Sequence, residues 1–134
     1  MHTGRDRQKL DDVIADQFLF LERSIAIARQ AGVEDARIVL DPGFGFAKDE
    51  DENFRLMARF SELRAFGFPL MAGTSRKRMI GHIAGADRHA RDLGTAATSV
   101  ILRIKGASLF RVHDVATNRL ALDFADAVLE AGGE

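Results

Sequence analysis

Three short runs hold the residue types best suited to chemistry: Asp41-Pro42-Gly43-Phe44-Gly45-Phe46-Ala47-Lys48, Gly73-Thr74-Ser75-Arg76-Lys77 and Arg111-Val112-His113-Asp114. They set one acid, Asp41, against the cations Arg76, Lys77 and Arg111 and the imidazole of His113. A carboxylate accepts hydrogen bonds from a ring N–H and an amino group. Arginine can grip a phosphate with two hydrogen bonds, and lysine supplies a point charge. Such a set suits a ligand with an N–H-rich ring and an anionic group. Residues two apart on a strand share a face, so Arg111 and His113 point together. Asp114 faces the other way and is placed to cap the helix that follows.

Each residue also has a plainer reading. Asp41 before Pro-Gly can simply shape a turn. Lys77 and Arg78 can be solvated charges at a helix start, and His113 a satisfied buried histidine. Phe44 and Phe46 can be loop anchors rather than walls of a ligand slot. His82 and His89 read as surface residues, and Arg88 with Arg91 as part of a solvated loop. No His, Asp and Glu spacing matches a zinc site. Gly43 and Gly45 form no dinucleotide fingerprint, because the third glycine is missing and an acid precedes them.

The elements that must position these residues follow from apolar periodicity. A helix is expected over about residues 10–31, where Ile14, Phe18, Leu21, Ile25 and Ala28 recur at helical spacing before Gly32. A strand is expected at Arg37–Asp41. A second helix starts among Asp49, Glu50, Asp51 and Glu52, since acids favour a helix N-terminus; it carries Leu56, Phe60 and Leu63 and ends at Gly67. Phe68–Ala72 reads as a strand that tolerates Pro69 at its beginning. A turn or short helix runs through Met79-Ile80-Gly81, then a polar loop over Asp87–Asp92. Further elements are a helix over about 93–105, a strand at Ser108–Val112 and a helix over about 116–131. This alternation argues for a parallel sheet with crossover helices, in either doubly wound or barrel form. All three runs then fall at carboxyl ends of strands, where such folds put their chemistry.

Composition narrows the class. The chain has 134 residues, 46% hydrophobic and 29% charged, as expected of one globular domain. A net charge of -1 argues against a nucleic-acid or membrane-surface partner drawn by bulk charge. With no cysteine there is no disulfide framework or thiolate metal site. No apolar run is long enough to span a bilayer, and the polar start from Met1 to Asp6 lacks a signal-peptide core, so a cytoplasmic protein is expected.

Taken together in this order, the three runs closely resemble dihydropteroate synthase. Gly94-Thr95-Ala96-Ala97, and Met1-His2 with Gly4, add to the match, which covers essentially the whole chain. The resemblance implies α/β architecture: the C-terminal half of a (β/α)₈ TIM barrel, with three to four parallel strands and crossover helices, over residues 1–134 as a single partial pterin-binding domain. It implies a transferase that condenses 6-hydroxymethyl-7,8-dihydropterin pyrophosphate with p-aminobenzoate, giving 7,8-dihydropteroate and pyrophosphate. By resemblance, Asp41 binds the pterin ring, with Lys77 against its face and edge, Gly73 letting the strand approach and Met1 lining the pocket. Arg111 and His113 hold the pyrophosphate. Phe46, Ser75 and Arg76 border the p-aminobenzoate slot, where sulfonamides also bind. Lys77, Arg111 and His113 are the implied catalytic set, and Mg²⁺ the implied cofactor.

A complete barrel of this kind takes about 250 residues, so the chain is roughly half of one. The family's Asn-x-Thr-Pro-Asp-Ser-Phe loop, implied to help hold Mg²⁺ and pyrophosphate, is not in this sequence. Ala47 stands where the family often has glycine. Strands cut from a barrel expose edges, and inward faces around Val39, Leu70 and Phe110 lose their cover. The expected partners, besides the two substrates, are a second copy of the chain or a complementing N-terminal half. The alternative to an enzyme piece is a non-catalytic pterin-binding or assembly module. An unrelated flavodoxin-like domain would require all three runs to coincide in order.

Overall fold

A computed structural model describes residues 12–133 of the chain. Helix α1 spans Val13–Gln30. It begins where the Asp12 carboxylate accepts the N–H groups of Ile14 and Ala15, and it buries Val13, Ile14, Leu21 and Ile25. Helix α2, Glu50–Ala58, opens on a capping box in which Asp49 and Glu52 satisfy each other's backbone N–H groups. The helix expected from residue 49 to Gly67 is broken. After Arg59 the chain tightens into a 3₁₀ segment, Phe60–Phe66, which ends on left-handed Gly67. Phe60 and Leu63 are fully buried there, three apart, and the three-residue turn stacks them on one side.

Strand β1, Leu70–Ala72, pairs in parallel with β2, Ala107–Phe110. Leu40 joins β1 as a one-residue parallel bridge to Leu70. The described residues thus form two parallel strands and a bridge, fewer than the three to four expected. The strand placed at Arg37–Asp41 is corrected to this bridge, because residues 35–37 wind into a 3₁₀ turn instead. Even so, Leu40 N–H bonds to Pro69 O and Met71 N–H to Leu40 O, so Asp41 leaves the sheet beside β1 as a strand end would.

Helix α3 is Arg78–Ala84, α4 Arg88–Ile104 and α5 Val115–Ala131. The expected loop over Asp87–Asp92 is the first turn of α4. Asp87 caps it by accepting the Ala90 N–H, which turns a polar stretch into a helix start. Arg91, expected in that loop, reaches the Gly85 carbonyl at 2.7 Å and locks the end of α3. As expected, Asp114 caps α5 through the Thr117 N–H.

The core lies between strands and helices. Leu40, Leu70, Ala72 and Ala107 are buried against Val13, Leu21, Leu56, Phe60, Leu63 and Leu102. The expectation that Leu70 faces an uncovered interior is corrected: it points into this core. The opposite sheet face is the open one, with Val39 42% and Leu109 40% exposed. Among the described residues no helix is long and apolar enough to cross a membrane.

Candidate functional site

The loop after Leu40 is built by its own side chains. Asp41 Oδ1 accepts the Gly43 N–H at 2.8 Å, which makes the turn; Oδ2 accepts no hydrogen bond among the described residues. The plain reading, a turn-shaping acid, holds for one oxygen. Phe44 is fully buried and stacks on Phe60 with centroids 6.1 Å apart, which makes it an anchor. Phe46 is exposed. The Gly45 N–H donates to Asn53 Oδ1 at 2.8 Å. Lys48 Nζ reaches the carbonyls of Pro42, Gly43 and Phe46 at 3.2, 3.0 and 3.2 Å and gathers the loop from beneath. Sequence reasoning assigned Lys48 and Asn53 no role. The only signal was their place at the end of the run and one helical turn into α2.

The segment after β1 crosses toward this loop. Lys77 Nζ donates to Phe44 O at 2.7 Å and stands 4.9 Å from the centre of the Phe46 ring. Gly45 turns with φ +90°, and a Cβ there would come within 3.3 Å of the lysine stem, so glycine gives Lys77 its passage. Burial pushes the Lys77 ammonium below its ordinary pKa; Asp41 partly restores it, and Arg111 lowers it further.

Ser75 meets the end of β2. Its Oγ lies 2.7 Å from His113 Nδ1 and accepts the His113 backbone N–H at 3.0 Å. The hydroxyl has one proton. Its oxygen has two lone pairs, so either that proton or one on Nδ1 can make the bond, and in both cases Ser75 holds the ring by its Nδ1 edge. His113 is thus exposed and held by one edge, rather than satisfied and buried. The Arg111 guanidinium lies over Gly73, where a Cβ would approach it to 3.2 Å. It makes no hydrogen bond to the described residues.

Gly73, Ser75, Lys77, Arg111, Val112 and His113 line a cleft of about 190 Å³ at the carboxyl ends of the two strands. A second, apolar hollow lined by Phe44, Gly45, Phe46, Lys77 and Arg78 adjoins it through Lys77. Phe46 belongs to this hollow. Asp41 lines neither but contributes its charge at Lys77. Arg76 turns away: its guanidinium makes two bonds with Asp92, at 2.9 and 3.1 Å. Met1 lies outside the described residues. His82 and His89 are exposed, as expected.

Chemically, the cleft offers an ammonium, a guanidinium and an imidazole to an anion. It is poor in metal donors, and no group of three His, Asp or Glu among the described residues could hold an ion. These side chains do not fit a resident Mg²⁺; they fit the anion itself.

Residues 1–113 match the family model described as pterin binding enzyme. The dihydropteroate synthase of Escherichia coli K12 is 39% identical over 129 residues, which are 96% of this chain and 46% of that protein. That of Bacillus subtilis 168 is 37% identical over 133 residues, covering 99% and 46%. The Yersinia pestis enzyme solved with a pterin–sulfa conjugate superposes with a TM-score of 0.87 at 36% identity, over 91% of this chain and 48% of that one. The Xanthomonas albilineans enzyme in complex with 7,8-dihydropteroate superposes at 0.85 with 40% identity, over 90% and 48%. The chain thus spans about half the length of the relatives it matches.

Proposed function

The chain belongs to the pterin-binding enzyme family, its fold is half of the family's (β/α)₈ barrel, and from that premise we propose that it supplies the C-terminal half of a dihydropteroate synthase site. The observation that carries the reading is the convergence of Lys77, Arg111 and His113 on one cleft at the carboxyl ends of β1 and β2. The reaction breaks the bond between the pterin methylene and pyrophosphate oxygen, and positive charge grows on the methylene as the bond opens. Arg111 and the His113 imidazole take the departing pyrophosphate, so negative charge develops against groups already gathered at the cleft. Lys77 lies between the anion cleft and the Phe46 hollow, where it can hold the pterin edge. The free oxygen of Asp41 accepts ring N–H groups and favours the electron-poor ring. The p-aminobenzoate ring enters the hollow beside Phe46, and its amine attacks the methylene and sheds a proton. Mg²⁺ would accompany pyrophosphate through ligands outside the described residues, and no step above depends on it.

The open sheet face gives the reading its second part. Val39 and Leu109 expose apolar surface on the side opposite the chain's own helices, which favours cover by a complementing N-terminal half-barrel. An assembly module without catalysis would use the same face.

The test is pyrophosphate release from pterin pyrophosphate with and without p-aminobenzoate, for the chain alone and mixed with an N-terminal half. Release that requires p-aminobenzoate and the added half, and that Asp41→Asn or Arg111→Ala abolishes, supports the proposal. A soluble, folded pair that binds pterin but never turns over points to the assembly module.

A further inference from the structure

Arg76 sits between the two cleft residues Ser75 and Lys77 yet takes no part in the cleft. Its φ is +57°, in the left-handed region that a side chain with a Cβ rarely adopts. Such a residue persists only where its surroundings over-determine it. Two contacts from α4 do so here. The Arg76 N–H donates to Thr95 Oγ1 at 3.2 Å, and the guanidinium is held by both oxygens of Asp92. Thr95 is itself buried, and Asp92 nearly so. The neighbouring Thr74 hydroxyl bonds to Thr98 Oγ1 at 2.9 Å, so α4 grips the segment at three points in succession. The other carboxylate near Arg76, Asp114, is spent on the Thr117 N–H and hydroxyl.

We propose that Asp92 is a positioning residue for the anion cleft: by clamping Arg76 in its left-handed turn, it holds Ser75 against His113 and Lys77 against the Phe44 carbonyl. The inference rests on the reading of Ser75, Lys77 and His113 as ligand-facing groups. Two residues of one short segment must engage opposite walls of the cleft, Ser75 at the β2 side and Lys77 at the loop after Leu40. The turn between them sets both reaches at once. Asp92 does not touch the cleft, so its effect passes through Arg76. Its carboxyl is held below the usual carboxylate range, first by the hydrogen bonds from Arg76, and so remains charged at neutral pH.

The experiment uses the 134-residue chain, with inorganic pyrophosphate as the probe and the ¹⁵N signals of the His113 ring as the second readout. Asp92→Ala is expected to weaken pyrophosphate binding about tenfold, and the isosteric Asp92→Asn less. In both, the His113 Nδ1 signal should move away from its wild-type position, as the bond to Ser75 loosens. Arg76→Ala combined with Asp92→Ala should be no worse than either alone, because both cut one connection. If Asp92→Ala does not fold, Asp92→Asn and Thr95→Ala carry the test. Folded variants with unchanged affinity and unchanged His113 signals overturn the proposal, as does a loss of stability with the ring signals unmoved. Lys77→Ala and His113→Ala separate the two levels. If they abolish binding while the Asp92 variants do not, only the clamp fails. If they leave binding intact, the site reading falls, and the clamp with it.

Discussion

Lys77 is where the charge balance of the cleft is set. Burial penalises its ammonium most, Asp41 supports it and Arg111 opposes it. Asp41→Asn should therefore drop the Lys77 pKa further, and Arg111→Met should raise it, as NMR titration of the side chain would record. The linkage has a definite sign. In the folded chain Lys77 loses its proton at a pH below the ordinary 10.5, so between the two pKa values the unfolded chain binds more protons. Stability from this group therefore rises as pH climbs toward 10.5, and Lys77→Met should remove that rise from a series of urea melts. Among single residues, Asp114 was fully legible, because a cap depends on its neighbours in sequence. Ser75 was less so: its bond to His113 spans 38 positions, and nothing local announces it. Arg76 looked like a cleft cation until the phase of α4 brought Asp92 beneath it.

At the scale of elements, the loop after Leu40 is the part most sensitive to backbone chemistry. Gly45 has φ +90° and Ala47 φ +56° within one turn. Only one of them is glycine, so the two substitutions should act in opposite directions. Gly45→Ala is expected to cost about 1–2 kcal/mol and to displace Lys77. Ala47→Gly should stabilise by up to about 1 kcal/mol, because relief of left-handed strain outweighs the added chain entropy. Urea unfolding of both variants, with Lys77 followed by NMR, would check the pair. Helices α1, α4 and α5 lie close to where apolar spacing puts them, apart from the start of α4. The break after Ala58 was not legible. Phe60 and Leu63 fit a continuing helix or a 3₁₀ segment equally, and only the core decided that both must be buried at once.

At the scale of the molecule, two kinds of apolar surface must be kept apart. Leu102 is fully buried, and Leu102→Ala should cost about 3 kcal/mol. Phe124, 69% exposed on α5, should tolerate alanine within about 0.5 kcal/mol. The open sheet face behaves differently from both. Val39→Asp and Leu109→Asp should leave the isolated chain as stable as before, since neither residue is in its core. Both should abolish complementation by an N-terminal half, because a charge would be sealed into the joint core. Melting curves of the chain, set beside activity of the mixture, would test this; complementation that survives both changes would place the joint elsewhere.

The sequence by itself determined helices α1, α4 and α5 and strands β1 and β2 in order, the three chemistry-bearing runs, the cap at Asp114 and the family resemblance, because these rest on local spacing and residue type. The resemblance, set against the chain's 134 residues, also carried the expectation of half a barrel. Tertiary structure alone decided which face of the sheet is covered: Leu40, Leu70 and Ala107 turn toward the helices, and Val39 and Leu109 turn away. That choice depends on register between segments some 30 residues apart and on which helix reaches each face first. The same long-range packing chose the partners of Arg76, Ser75 and Lys77. A charged or polar side chain announces in sequence that it needs a partner. Which partner it finds is settled only when the chain has closed the distance.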